Sequence, residues 1–257
     1  MATRTSYEQG TPNWVDLLAT DPAAARTFYG GLFGWRFEDT PTLQGTSYSM
    51  AFLGDRLASA ISVQSPDESP VWNTYLAVDD IDAASARAEA AGGKVLMPAT
   101  DIMDAGRMAA LLDPTGAMVF LWQAKQHIGA IAVNEPGAVL WNELMTDDPK
   151  KAVAFYGQVV GVGSEGTDIG GTPYTLLTVN GSTVGGVTTP SMLGAPNHWH
   201  VYFGTGDVAA SVQRATELGA TVLSPPSTSP IGTSATLRDP QGAVFSVFKL
   251  AEAAPAT

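Results

Sequence analysis

His198 and His200 are two of only three histidines in the chain, and they stand two residues apart in Asn197-His198-Trp199-His200-Val201-Tyr202. In an extended strand, residues i and i+2 share a face. Two imidazoles so placed can ligate a metal, move a proton or hydrogen-bond a ligand. The acids in comparable settings are Asp16, in Trp14-Val15-Asp16-Leu17-Leu18, and Glu143, in Trp141-Asn142-Glu143-Leu144-Met145. Large apolar neighbours put both carboxyls in a dry environment, where acid strength shifts and general acid–base chemistry becomes accessible. Asp16 and His200 are the candidate general bases. The chain has no cysteine, which excludes thiolate nucleophiles, thiolate metal sites and disulfides.

These residues belong to a duplication. Trp14-Val15-Asp16-Leu17-Leu18-Ala19-Thr20-Asp21-Pro22 returns 127 residues later as Trp141 to Pro149, Phe28-Tyr29 as Phe155-Tyr156, and Trp72-Asn73 as Trp199-His200. Asp113-Pro114-Thr115-Gly116 returns 126 residues later as Asp239-Pro240-Gln241-Gly242. The halves, 1–128 and 129–257, are each of ordinary domain size. Asp21-Pro22 and Asp148-Pro149 read as helix starts, because aspartate accepts unpaired N–H groups and proline at the first helical position forfeits no bond. The pattern predicts helices over 23–33, 81–91, 149–160 and 207–218. Short strands are predicted over 14–18, 47–53, 57–64, 71–78, 94–97, 109–112 and 117–123, with counterparts in the second half. The fold class is α+β, each half a pair of βαβββ units. The boundary falls in 129–137, too short and apolar for a free linker, so the halves are expected to pack together. Trp72 and Trp199 read as core, Asp113 and Asp239 as turn residues, and His127 as interfacial.

With a net charge of −12 and 13 Lys and Arg in all, no clustered basic surface for nucleic acid is expected. No apolar run reaches a membrane span's length, and the first residues carry no apolar signal segment. The expectation is a cytoplasmic protein.

The succession strand, Asp-Pro, helix, Phe-Tyr and Gly34 or Gly161, with Asp-Pro-x-Gly before the last strand, resembles the vicinal oxygen chelate superfamily. That group is also called the glyoxalase/bleomycin-resistance/dioxygenase superfamily. The pattern covers nearly the whole chain twice, and it implies a concave mixed sheet in each half with helices outside. Gln9 to Leu17, Val71-Trp72-Asn73-Thr74-Tyr75, Asp104-Ala105-Gly106-Arg107-Met108, Leu140 to Leu144 and Pro196 to Phe203 are similar to a tandem actinobacterial branch. That branch includes a mycobacterial culture-filtrate antigen and proteins of aromatic-polyketide antibiotic clusters. In metal-dependent members of the superfamily, His and Glu or Gln from four strands hold the metal. The resemblance carries those positions onto Trp14, Asn73, Phe120 and Ala60-Ile61 in the first half, and Trp141, His200, Ser246 and Gly186-Val187 in the second. Indole and phenyl rings offer no lone pair, and a catalytic divalent metal takes about three protein ligands. No metal and no cofactor are expected. A new metal site built from His198, His200, Asp16 and Glu143 is the alternative.

Without ligands the cup becomes aromatic-walled, which suits flat molecules. Residues expected to face it are Trp14, Asp16, Asn73, Tyr75, Phe120 and Trp122 from the first half. From the second half come Trp141, Glu143, His198, His200, Tyr202, Ser246 and Phe248. By the resemblance, pockets lie within each half or are shared. Sharing would join Trp14 and Asp16 to His198, His200, Ser246 and Phe248, and Trp141 and Glu143 to Asn73, Phe120 and Trp122. The functional expectation is a metal-independent binding protein for a planar aromatic molecule of the aromatic-polyketide or anthracycline type. Its role would be sequestration, self-resistance or assistance to a tailoring enzyme such as a monooxygenase. The competing readings are a metal-free enzyme using Asp16 or His200 as acid or base, and a metal-dependent glyoxalase or dioxygenase.

Overall fold

The computed structural model describes residues 4–42, 46–65, 67–190 and 195–251. The first half runs β1 (Pro12–Ala19), α1 (Pro22–Phe33), β2 (Arg36–Pro41), β3 (Ser47–Leu53), β4 (Arg56–Val63) and β5 (Val71–Ala77). It continues through α2 (Ile81–Ala90), β6 (Lys94–Ile102), β7 (Gly106–Leu112) and β8 (Met118–Ala124). The second half repeats this as β9 (Val139–Met145), α3 (Pro149–Val160), β10 (Gly163–Ile169), β11 (Thr172–Val179), β12 (Ser182–Thr188) and β13 (His198–Gly204). It ends with α4 (Val208–Glu217), β14 (Thr221–Ser229), β15 (Gly232–Arg238) and β16 (Val244–Leu250). The helix starts follow the sequence: Asp21 accepts the N–H groups of Ala23 and Ala24, and Asp148 accepts that of Lys151. Gly34 and Gly161 end α1 and α3 in the left-handed conformation, with φ of 74° and 76°, which glycine adopts without a Cβ penalty.

In each half the two units join through a central antiparallel pair, β1 with β5 and β9 with β13. Parallel pairs flank it, β1 with β4 and β5 with β8, then β9 with β12 and β13 with β16. The result is two curled eight-stranded mixed sheets, ordered β2-β3-β4-β1-β5-β8-β7-β6 and β10-β11-β12-β9-β13-β16-β15-β14. Strands β2 and β10 were not among the predicted ones. Both are sheet edges, and β10 is exposed from Gly163 to Asp168, so neither shows the apolar alternation that marks a half-buried strand. Strand β6 also outruns its expected end at Met97 and reaches Ile102.

The convex faces pack crosswise. One core joins Val15, Leu17, Phe28 and Tyr29 of the first half to Val201, Phe203, Phe245 and Val247 of the second. The other joins Ile81, Leu111 and Leu121 to Phe155, Tyr156 and Trp199. Each core has a polar chain through its centre. Trp72 Nε1 donates to Tyr29 Oη at 3.0 Å, and Tyr29 donates to Asp239 Oδ2 at 2.9 Å. Its counterpart runs from Trp199 Nε1 to Tyr156 Oη at 2.8 Å and on to Asp113 Oδ2 at 3.0 Å. Trp72 and Trp199 are core, as expected, whereas Asp113 and Asp239 do more than turn the chain. The connecting segment is fastened too. Ala130 N–H donates to Asn13 O, Trp35 Nε1 donates to Gly137 O at 2.7 Å, and Glu135 pairs with Arg56.

Candidate functional site

The register of the first sheet brings its chemistry-bearing residues together. Asp16 lies opposite Asn73 on one side and Ala60 on the other, Trp14 lies opposite Tyr75, and Tyr75 lies beside Phe120. Asp16 is 2% exposed and receives three hydrogen bonds. Asn73 Nδ2 donates to Oδ1 at 2.9 Å, while Tyr75 and Tyr48 donate to Oδ2 at 2.8 and 2.9 Å. Trp14 Nε1 donates in turn to Tyr48 Oη at 2.9 Å. Burial raises the pKa of Asp16, partly offset by the Asn73, Tyr75 and Tyr48 bonds. Burial and the neighbouring carboxylate hold both tyrosines well above their ordinary range.

Above this floor is a cavity of about 390 Å³. Its walls are Trp14, Tyr75, Phe120 and Trp122, with Tyr75 and Phe120 stacked at 4.7 Å and 25°. Four methionines, Met50, Met97, Met103 and Met108, complete much of the rest, and flexible thioethers adapt to a ligand's outline. The extension of β6 beyond Met97 supplies Thr100, Asp101 and Ile102. His127, expected as only interfacial, lines this cavity, edge-on to Trp14 at 4.6 Å and to Trp122 at 5.5 Å. Burial lowers its pKa to about 4, so the ring is neutral at physiological pH.

The second sheet repeats the motif with different neighbours. Trp141 Nε1 donates to Tyr174 Oη, and Glu143 accepts from Tyr174 at 2.7 Å and Tyr202 at 2.8 Å. Burial raises the Glu143 pKa, against the two tyrosine bonds and the charge of His198. His200 occupies the place of Asn73 but does not bond the acid. Its Nε2 is 2.8 Å from Ser246 Oγ, which lies 2.9 Å from Thr236 Oγ1. Burial, with His198 nearby, lowers the His200 pKa to about 3. His198 turns its Nδ1 to Pro196 O, and Phe248 lies beside Tyr202 at 6.2 Å.

The expected site residues therefore divide by half. Trp14, Asp16, Asn73, Phe120 and Trp122 surround the first cavity, and Trp141, Glu143, His198, His200, Tyr202, Ser246 and Phe248 gather on the second sheet. The shared arrangement is not formed, because every strand of each sheet comes from one half. Asp16 and His200 consequently sit in separate sheets, as do Asp16 and the other three members of the alternative metal set. Tyr48 and Tyr174 escaped the sequence reading. The duplication marks them, as Gly45-Thr46-Ser47-Tyr48 against Gly171-Thr172-Pro173-Tyr174.

Residues 11–121 match the family model of the Glyoxalase/Bleomycin resistance protein/Dioxygenase superfamily, and residues 141–248 match that of a Glyoxalase-like domain. CFP32 of Mycobacterium tuberculosis (strain CDC 1551 / Oshkosh), provisionally named a glyoxylase, is 49% identical over 97% of this chain and 98% of its own. The chain belongs to the glyoxalase/bleomycin resistance/dioxygenase superfamily. The anthracycline biosynthesis protein DnrV of Streptomyces peucetius is 35% identical over 98% of both chains. Among solved structures, the Mn(II)-bound glyoxalase from Novosphingobium aromaticivorans shares the fold, with a TM-score of 0.67 at 17% identity over 94% of this chain and 82% of that one. The 2,2',3-trihydroxybiphenyl 1,2-dioxygenase of Sphingomonas wittichii strain RW1 does so with 0.64 at 14%, over 94% and 91%.

The superfamily includes metal enzymes, and the donor set here does not fit one. Among the described residues no three His, Asp or Glu side chains gather closely enough to hold an ion. Asp16 and Glu143, the acids beside the inherited metal positions, are each engaged by two phenols. The Tyr174 hydroxyl occupies the space that any side chain at Gly186 would need. No helix among the described residues is long and apolar enough to cross a membrane.

Proposed function

We propose that this superfamily member is a metal-independent binding protein for a planar aromatic small molecule, seated in the first-half cavity. The observation that carries this reading is the cavity itself. It is walled by Trp14, Tyr75, Phe120, Trp122 and four methionines, and its buried acid is clasped by the protein's own phenols rather than held open as a ligand. A largely apolar cup with a few converging polar groups is the form small-molecule sites take. A volume of about 390 Å³ accommodates a fused-ring ligand. The likeness to DnrV, named for anthracycline biosynthesis, supports a polyketide-type polycycle, kept for sequestration, self-resistance or presentation to a tailoring enzyme such as a monooxygenase.

Tryptophan-fluorescence titration of chelator-stripped protein with planar aromatic antibiotics tests this. Saturable quenching is expected without metal. Trp14→Leu should weaken it about tenfold, in line with loss of one aromatic wall worth roughly 1 kcal/mol beyond its area, while Trp141→Leu leaves it unchanged. Saturation only after a divalent metal is restored would overturn the reading.

A further inference from the structure

We propose that the ligand of the first cavity presents a phenolic hydroxyl that donates a hydrogen bond to Asp16 Oδ1. This deepens the binding reading and rests on it. An ionised carboxylate accepts about four hydrogen bonds. Oδ2 already takes two, from Tyr48 and Tyr75, whereas Oδ1 takes one, from Asn73. Both indole donors are engaged inside the wall, Trp14 Nε1 on Tyr48 Oη and Trp122 Nε1 on the His127 carbonyl, whereas His127 Nε2 is buried without a partner. Asp16, a lining residue of the cavity, therefore retains acceptor capacity. What complements it is a ligand atom that gives a hydrogen, not one that receives it.

Hydroxyl is favoured over ammonium by desolvation. Carrying a full positive charge into a cavity walled by indole, phenyl and thioether groups costs far more than carrying a neutral hydroxyl. The other lining acid, Asp101, does not invite a cation either, since it is paired with Lys125. An O–H···O⁻ bond is stronger in such a dry site than in water. The second half lacks this arrangement, because His200 replaces Asn73 and turns to Ser246.

The experiment compares three ligands of one ring system on the full chain: 1-naphthol, 1-methoxynaphthalene and 1-naphthylmethylamine, each titrated by calorimetry. We expect 1-naphthol to bind at least about tenfold tighter than 1-methoxynaphthalene. Asp16→Asn should shrink that preference at least threefold, read as the ratio of the two affinities within each protein. Equal affinity for the naphthol and its methyl ether in the wild-type protein overturns the hydroxyl assignment and leaves the binding reading standing. The amine binding tightest also overturns the assignment. Failure of all three to saturate overturns the binding reading, and the assignment with it.

Discussion

Asp239→Ala is expected to destabilise the protein by about 3–4 kcal/mol, several times what a surface turn residue contributes. Asp239 is 4% exposed. Its Oδ1 accepts the backbone N–H groups of Gln241, Gly242 and Ala243 at 2.8 to 2.9 Å, and its Oδ2 accepts the Tyr29 hydroxyl from the other half. Alanine removes a single side chain but strands several buried donors at once, and each unsatisfied buried donor costs about 1–3 kcal/mol, moderated where water can enter. Tyr29→Phe removes the bridge between halves and leaves the buried Trp72 indole N–H without its acceptor, and should cost about 2 kcal/mol. Asp113→Ala should match Asp239→Ala, because Asp113 holds Thr115, Ala117 and Tyr156 in the same way. Urea unfolding of the four proteins checks the ordering. A loss for Asp239→Ala no larger than for Tyr29→Phe would show that the turn closes without its carboxylate.

This pair of aspartates shows where reading the sequence stops. Asp-Pro-x-Gly announces a turn through local chemistry alone, and the turn is there. The partner of Asp239 lies 210 residues away, and nothing local in the sequence points to it. The duplication, by contrast, is legible because each half repeats its own punctuation, Asp-Pro before a helix and Gly after it. The half-by-half composition of the sheets was not legible: period-two spacing orients Trp14 and Asp16 toward a concave face but does not say whose second unit completes it. Tyr48 and Tyr174 were visible only to a comparison of the halves, since a lone tyrosine on a strand reads as ordinary packing. His127 follows the last strand of its half, where position suggests an interface. Its place in the cavity wall depends on Gly129, whose φ of 118° turns the chain tightly against Asn13, a path that no hydrophobic pattern encodes.

His200 should make the protein progressively less stable as pH falls from 7 to 5, and His200→Asn should remove that contribution. The ring is 3% exposed, and its pKa is lowered from 6.5 to about 3, chiefly by burial. Below pH 6.5 the unfolded chain takes up a proton that the folded protein refuses until about pH 3, so stability is lost on acidification at about 1.4 kcal/mol per pH unit. From 6.5 down to pH 5 this amounts to about 2 kcal/mol. The groups facing it are Ser246, Tyr202, His198 and, across the strand pair, Glu143. Glu143 and Asp16, whose pKa values burial raises, act in the opposite direction, because the folded state binds their protons first. The wild-type profile alone therefore mixes signs, and the difference between wild type and His200→Asn isolates the imidazole. Asparagine is a tolerable replacement, since Asn73 holds the equivalent place in the first sheet. The unfolding free energy of wild type minus variant, measured in urea, should fall by about 2 kcal/mol between pH 7 and pH 5. A difference that instead grows toward acid would mean that His200 is protonated in the folded protein and paired with Glu143, making the second sheet an ion-pair site instead of a neutral one.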